Sequence, residues 1–257
     1  HVGGDTMLII SGNTVDTNTA IPGVNNDEIK LKIINIMQKS SYIYRFSTTK
    51  ELLFILDMRK NIINASKMLY RSRMRFRTFK DSVCNEHYWR RTFEGGFLLK
   101  RDVMPSRAVN DIYANGQLYG TECATAIVIV YYKAVLDTFG EELFNRLFTD
   151  IYLMDWQNLN GRLKVTTDRK PPDTFPADCR YFKNPDVDPL TPEWQGENAI
   201  DLGNGYYYGH GVGITTGDRI IYALNNHRKP GSNVSAYLLD SSTNPDYRSL
   251  FNLYNSF

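Results

Sequence analysis

The chain has 257 residues, 42% of them apolar, and a formal net charge of +2. That is enough apolar material for one globular domain with a sizeable core, and the near-zero charge excludes the strong basic bias of a dedicated nucleic-acid binder. The longest apolar run, residues 124–132, is too short to span a bilayer, so no membrane association is expected.

Three cysteines lie far apart at Cys84, Cys123 and Cys179, with no CxxC. Neither a disulfide framework nor a zinc ribbon fits that count, and a reducing compartment does. The opening residues up to Met7 lack the basic and apolar regions of a secretion signal. Residues 1–6 read as a remnant ahead of a native start near Met7, within a single catalytic domain over residues 1–257.

In chain order, residues 8–11 read as a short strand, followed by a polar stretch with a turn at Pro22-Gly23. Asp27 is placed to cap a helix that carries Ile29, Ile33, Ile36 and Met37 on one face. A second helix follows Thr48, with Glu51 three residues on as a capping box, and runs to about Arg71. The next segment holds Arg71, Arg73, Arg75, Arg77 and Lys80; it reads as a solvated face, or as a site for an acidic partner. Residues 93–99 read as strand or hairpin. Pro105 opens a helix that Asn115-Gly116 ends. The helix after Tyr119 is apolar nearly all round over residues 124–136, with Lys133 its only charge, which predicts burial at the centre of the fold. A polar, Pro-rich loop is expected over 157–175. Short strands follow at 180–183, 199–202, 206–209, 212–215 and 236–239, with a short helix over 218–226. Helices first and strands later predict an α+β fold.

Three segments carry chemistry. In Gly120-Thr121-Glu122-Cys123-Ala124, the Cys falls at the first turn of the buried helix. Free amides and the helix dipole there favour thiolate over thiol, and the same amides could hold an oxyanion; a small buried apolar Cys is the plainer reading. In Trp194-Gln195-Gly196-Glu197-Asn198, a carboxylate is hemmed in by Trp, Gly and Asn, although a lone loop Glu is commonly a surface group. In Tyr208-Gly209-His210-Gly211, glycines on either side let backbone and ligand approach the His closely; a core or turn His is the alternative. Together they supply a nucleophile, a base and an orienting partner, in the chain order Cys, Glu, His.

At these residues the sequence resembles the small transglutaminases of Bacillus-type spore coats, which are protein-glutamine gamma-glutamyltransferases. The stretches that carry the resemblance are Tyr119 to Ile129, Tyr181 to Pro185, Trp194 to Asn198 and Gly209 to Gly213, within a likeness that runs from about Leu8 to Leu250. The resemblance implies a papain-like fold of the NlpC/P60 type, in which a central buried helix bearing the Cys packs on an antiparallel sheet, here with added N-terminal helices. It implies Cys123 as nucleophile, Glu197 and His210 as catalytic partners and Glu122 as an alternative carboxylate. It also implies a substrate tunnel, for whose walls Trp194, Tyr181 and Trp156 are candidates, with Asn198 beside Glu197. In Pro176-Ala177-Asp178 an Ala stands where that superfamily has Gly, which puts the tight turn there in question.

The implied reaction is isopeptide cross-linking between Gln and Lys of spore coat proteins through a Cys thioester, with no metal or cofactor. The implied protein is a monomer made in the mother-cell cytoplasm and deposited on the spore coat. A cysteine peptidase or amidase acting on cell-wall peptides is the nearest alternative.

Overall fold

The most apolar helix sets the centre of the molecule. In a computed structural model describing residues 8–15 and 21–257, the elements in chain order begin β1 (Leu8–Ile10), β2 (Asn13–Thr14), α1 (Glu28–Lys39), β3 (Tyr44–Phe46), α2 (Thr49–Arg71) and β4 (Arg75–Phe76). They continue with β5 (Trp89–Arg91), β6 (Phe97–Leu99), α3 (Pro105–Ala114), β7 (Gly120–Thr121), α4 (Cys123–Phe139), α5 (Glu141–Leu147) and β8 (Tyr152–Leu153). The last are β9 (Val165–Arg169), β10 (Cys179–Lys183), β11 (Gly196–Asp201), β12 (Tyr206–Gly209), β13 (Gly213–Thr216), α6 (Gly217–Asn225), β14 (Tyr237–Leu238), β15 (Ser241–Pro245) and α7 (Tyr247–Asn255). The expected remnant, residues 1–6, lies outside the described residues.

This is the expected α+β fold, and it is consistent with a papain-like arrangement. Helix α4 is buried from Ala124 to Leu136. Its Lys133 reaches the exterior by pairing with Asp137 at 2.6 Å, one turn on. One side of α4 packs on α2, the other on β11. The antiparallel sheet runs β13-β12-β11-β10-β15-β9, with β14 paired to β10. Helix α2 is no appendage: it packs along α4 and touches β11, β12 and β13. Helix α1 packs on α2.

The caps follow the sequence, with one difference. Asp27 accepts from the amides of Ile29 and Lys30, and Thr48 Oγ1 accepts from Glu51 N. The Glu51 carboxylate, however, closes on Ser47, one residue earlier than a capping box requires, and also takes Arg248 at 2.9 Å. Thus the start of α2 is tied to α7, an element the sequence pattern did not reveal.

Two further departures concern the sheet. The expected loop over 157–175 contains β9, which pairs with β15 over five registered residues. Strand β9 is a sheet edge and exposed from Thr166 to Arg169, so it lacks the apolar alternation that marks a half-buried strand. The turn at Ala177 forms despite the missing Gly: Ala177 sits at φ 77° and donates to Asp201 O at 2.7 Å. A side chain in that left-handed region costs roughly 1–2 kcal/mol.

What holds the turn is a buried ion pair. Arg59 of α2 bonds Asp178 at 2.8 Å and the Pro176 carbonyl at 2.9 Å, while Asp178 also accepts from Phe175 N and Asn244. The guanidinium lies over the rings of Phe175 and Tyr247. Removing one member of such a pair strands the other in a dry interior. Arg59→Ala is therefore expected to destabilise the protein by about 3–5 kcal/mol, read as a lowered denaturant midpoint. A midpoint equal to that of the parent would show that this pair does not anchor the turn.

Candidate active site

The site is assembled by the amino end of α4 and the middle of the sheet. Strand β7, immediately before the Cys, pairs parallel with β4, with Phe76 opposite Thr121. That pairing brings Phe76, Thr78 and Phe79 over the thiol. On the other side, β10 and β11 pair antiparallel with Tyr181 opposite Asn198. A cavity of about 400 Å³ opens between them, lined by Cys123, Glu122, Tyr181, Asn198, Phe76 and Glu193 among others.

Cys123 is half-buried in this cavity. The Asn198 side-chain amide lies 3.7 Å from the sulfur. Burial pushes the thiol well above its ordinary value, and the carboxyls of Glu197 and Glu122 push it further; hydrogen bonds from Asn198 oppose them. The expected gain from the helix end is offset by Glu122, which occupies the N-cap. Its oxygens accept from Ala124 N at 2.7 Å and Thr125 N at 2.6 Å. Of the first-turn amides, those of Ala124 and Thr125 are therefore already bonded and not available to an oxyanion. Asn198 is the polar donor that faces the sulfur.

Glu197 lies on β11 and is 4% exposed. Its carboxyl accepts from Gly211 N at 3.2 Å and faces the amide of His210. Burial raises its pKa to about 8, with the charge of Glu122 adding to the rise and the two amides opposing it. The glycines around it make the space. A Cβ on Gly209 would stand 2.7 Å from a Glu197 oxygen, and one on Gly196 would stand 2.1 Å from the Tyr181 hydroxyl. Only a residue without a side chain permits these approaches.

The structure groups Cys123, Glu197, Glu122, Asn198 and Tyr181. It places the His210 ring differently. Nε2 lies 3.1 Å from the Arg75 carbonyl and Nδ1 lies 3.2 Å from the Tyr208 hydroxyl. A carbonyl only accepts, so Nε2 carries the hydrogen and Nδ1 accepts from Tyr208. Burial lowers the imidazole to about 4, so the ring is neutral at neutral pH. Both its nitrogens are engaged away from the sulfur, while its backbone amide faces Glu197.

Of the aromatic walls expected from sequence, Tyr181 lines the cavity, whereas Trp194 and Trp156 are not among its lining residues. Trp194 stacks flat on His227 with centroids 4.1 Å apart. Trp156 packs on Tyr131. The walls that sequence reasoning missed are Phe76 and Phe79. They lie three residues apart within the Arg-rich segment, where neighbouring charges give them the pattern of a solvated face. A second cavity of about 530 Å³ reaches His210 and Tyr208 from the end of α2, past Tyr70, Arg71 and Arg73. The two cavities approach each other where the rings of Phe76, which lines the first, and His210, which lines the second, lie 6.2 Å apart.

Among the described residues the three cysteines are unpaired, no group of His, Cys, Asp and Glu converges as a metal-ligand set, and no helix is long and apolar enough to cross a membrane.

Residues 7–254 match the family described as protein-glutamine gamma-glutamyltransferase. A protein of that name from Bacillus cereus (strain 03BB102) is 50% identical over 219 residues, covering 85% of this chain and 79% of the relative. One from Bacillus cereus (strain AH187) is 47% identical over 245 residues, covering 94% and 87%. The solved transglutaminase from Geobacillus stearothermophilus (without C-terminal extension) superposes with a TM-score of 0.76 at 50% identity, covering 79% of this chain and 97% of that one. These similarities extend across the elements that build the cavity around Cys123, and the chain belongs to the protein-glutamine gamma-glutamyltransferase family.

Proposed function

We propose that this acyltransferase links protein glutamine to protein lysine through a thioester on Cys123, with Glu197 moving the protons. The single observation that carries this reading is the buried Glu197 carboxyl, poised near pKa 8 beside a thiol that burial keeps protonated. The relatives' names supply the donor and acceptor classes, and family membership favours transfer over wall-peptide hydrolysis.

In the first half-reaction, ionised Glu197 accepts the thiol proton as sulfur attacks the glutamine carboxamide. Protonated Glu197 then donates to the departing nitrogen, and ammonia leaves a thioester. In the second half, the neutral lysine amine attacks the thioester and gives its proton to Glu197. That proton returns to the sulfur as the isopeptide bond forms. A carboxyl that titrates near the working pH serves both directions. The side-chain amide of Asn198 is the donor assigned to the developing oxyanion. The hydrocarbon walls of Phe76, Phe79 and Tyr181 disfavour water as the competing acceptor.

His210 is assigned as a positioning residue. Its neutral ring, bridging Tyr208 and Arg75, holds its own amide and that of Gly211 on Glu197. Glu122 is assigned to helix capping and to the local charge, since both its oxygens are bonded. Substrates among spore coat proteins, synthesis in the mother-cell cytoplasm, a monomeric state, a single catalytic domain over residues 1–257 and independence from cofactors complete the proposal. Trp194 and Trp156 enter it only as supports behind the walls.

Cys123→Ala is expected to abolish amine incorporation into a glutamine donor while the circular dichroism spectrum is retained. Glu197→Gln is expected to lower kcat by about 10²–10⁴-fold; a rate within twofold of the parent would remove Glu197 from proton transfer. Because only the ionised carboxyl accepts the thiol proton, kcat/KM is expected to climb with pH through about 8, close to tenfold per unit below that value. A profile flat down to pH 6 would place the proton acceptor elsewhere. Finally, iodoacetamide labelling of Cys123, followed by peptide mass, is expected to run more than about tenfold slower at pH 7.5 than labelling of glutathione and to keep rising beyond pH 9. A plateau below pH 7 would reveal a stable thiolate.

A further inference from the structure

We propose that Glu193 recognises the ammonium group of the incoming lysine at the mouth of the Cys123 cavity. This rests on the acyl-transfer reading of that cavity and concerns which amine the thioester accepts.

The argument begins with the charges that line the cavity. Its lining, among the described residues, includes Glu122 and Glu193 but no Lys or Arg. Glu122 spends both oxygens on the amides of Ala124 and Thr125. Glu197, behind the sulfur, is buried and bonded to Gly211. Glu193 differs from both. It is exposed and makes no ion pair or hydrogen bond with the described residues.

Its place in the chain fixes it there. Glu193 belongs to the short 3-10 helix Pro192–Gln195, which leads directly into β11 and Glu197. The Trp194 amide donates to Thr191 O, and Asn184 Nδ2 donates to the Trp194 carbonyl at 3.1 Å. The Trp194 ring is clamped on His227. With Trp194 held on one side, its neighbours Pro192, Glu193 and Gln195 are left facing the cavity. Trp194 thus acts on the site through its neighbour rather than as a wall.

One substrate of the reaction is a cation in water. A lysine ammonium must come close to the sulfur and lose a proton before it attacks. A carboxylate with no internal partner, at the rim of a cavity without cationic lining, attracts that ammonium and holds the chain end while its extra proton passes to solvent, leaving the neutral amine that attacks. The attraction is solvent-exposed, so it is modest and salt-sensitive. It distinguishes charged amines from uncharged nucleophiles of similar size, and contributes nothing to attack by the latter.

The test is acceptor kinetics with Glu193→Gln on the full chain, with Nα-acetyl-lysine methylamide as the cationic acceptor and hydroxylamine as the uncharged one. The KM for the lysine analogue is expected to rise about two- to fivefold, with kcat at saturation retained. The difference should close in 0.5 M NaCl, on the order of a few ångströms of screening length. The KM values for hydroxylamine and for the glutamine donor should not move. Glu193→Lys should enlarge the lysine effect in the same direction. A lysine KM equal to the parent's in both variants would overturn the proposal, as would an equal shift for hydroxylamine. Hydroxamate formation by Cys123→Ala would instead overturn the reading of the cavity itself, so the two failures are separable.

Discussion

A carboxyl group taken out of water next to a thiol is the constraint around which this protein is organised. Neither group is stable as an anion in that setting: burial raises the pKa of both, the charge of Glu122 adds to each rise, and the Glu197 charge further penalises a thiolate. The pair is held because its surroundings are over-determined. Two successive amides of the β12–β13 turn face Glu197, glycines at 196 and 209 remove the side chains that would collide, and α4 brings the sulfur up from below. In the proposed reaction, the same geometry that disfavours charge at rest serves the exchange of a proton between sulfur, carboxyl and substrate nitrogen.

The layer beneath explains how such a site is kept in register. Helix α4 is buried on every side and α2 packs along it, so its amino end has little freedom. Arg59 ties α2 to the loop entering β10, and Glu51 ties the start of α2 to α7. The loop that enters β10 is therefore tied to a helical pair anchored at the start and in the middle of α2. The Ala177 turn, strained as it is, persists because the ion pair beside it and its bond to Asp201 leave no alternative path.

Features with a local physical cause were legible in the sequence. The apolar run of residues 124–136 announced a buried helix, Asp27 and Thr48 announced helix starts, and Gly-flanked Glu197 and His210 announced crowded backbone. What depended on distant partners was not legible. Strand β9 is polar because it is an edge, and its existence is decided by β15, some seventy residues on. Phe76 and Phe79 read as part of a charged surface until the parallel pairing of β4 with β7 turned them over the thiol. The roles of the two Trp rings were equally hidden, since His227 and Tyr131, their partners, are far away in sequence. Nor could spacing say that the His210 imidazole would bond to Arg75, 135 residues earlier.

The cap formed by Glu122 has a consequence for the lifetime of the protein. With that carboxylate seated on the helix end, the sulfur rests as SH instead of S⁻. Peroxide and other mild oxidants react with the anion far faster than with the neutral form. The arrangement that slows the nucleophile before substrate arrives is thus also protection against sulfenic and sulfinic acid. A sulfur that rests in this form can remain chemically intact until substrate arrives.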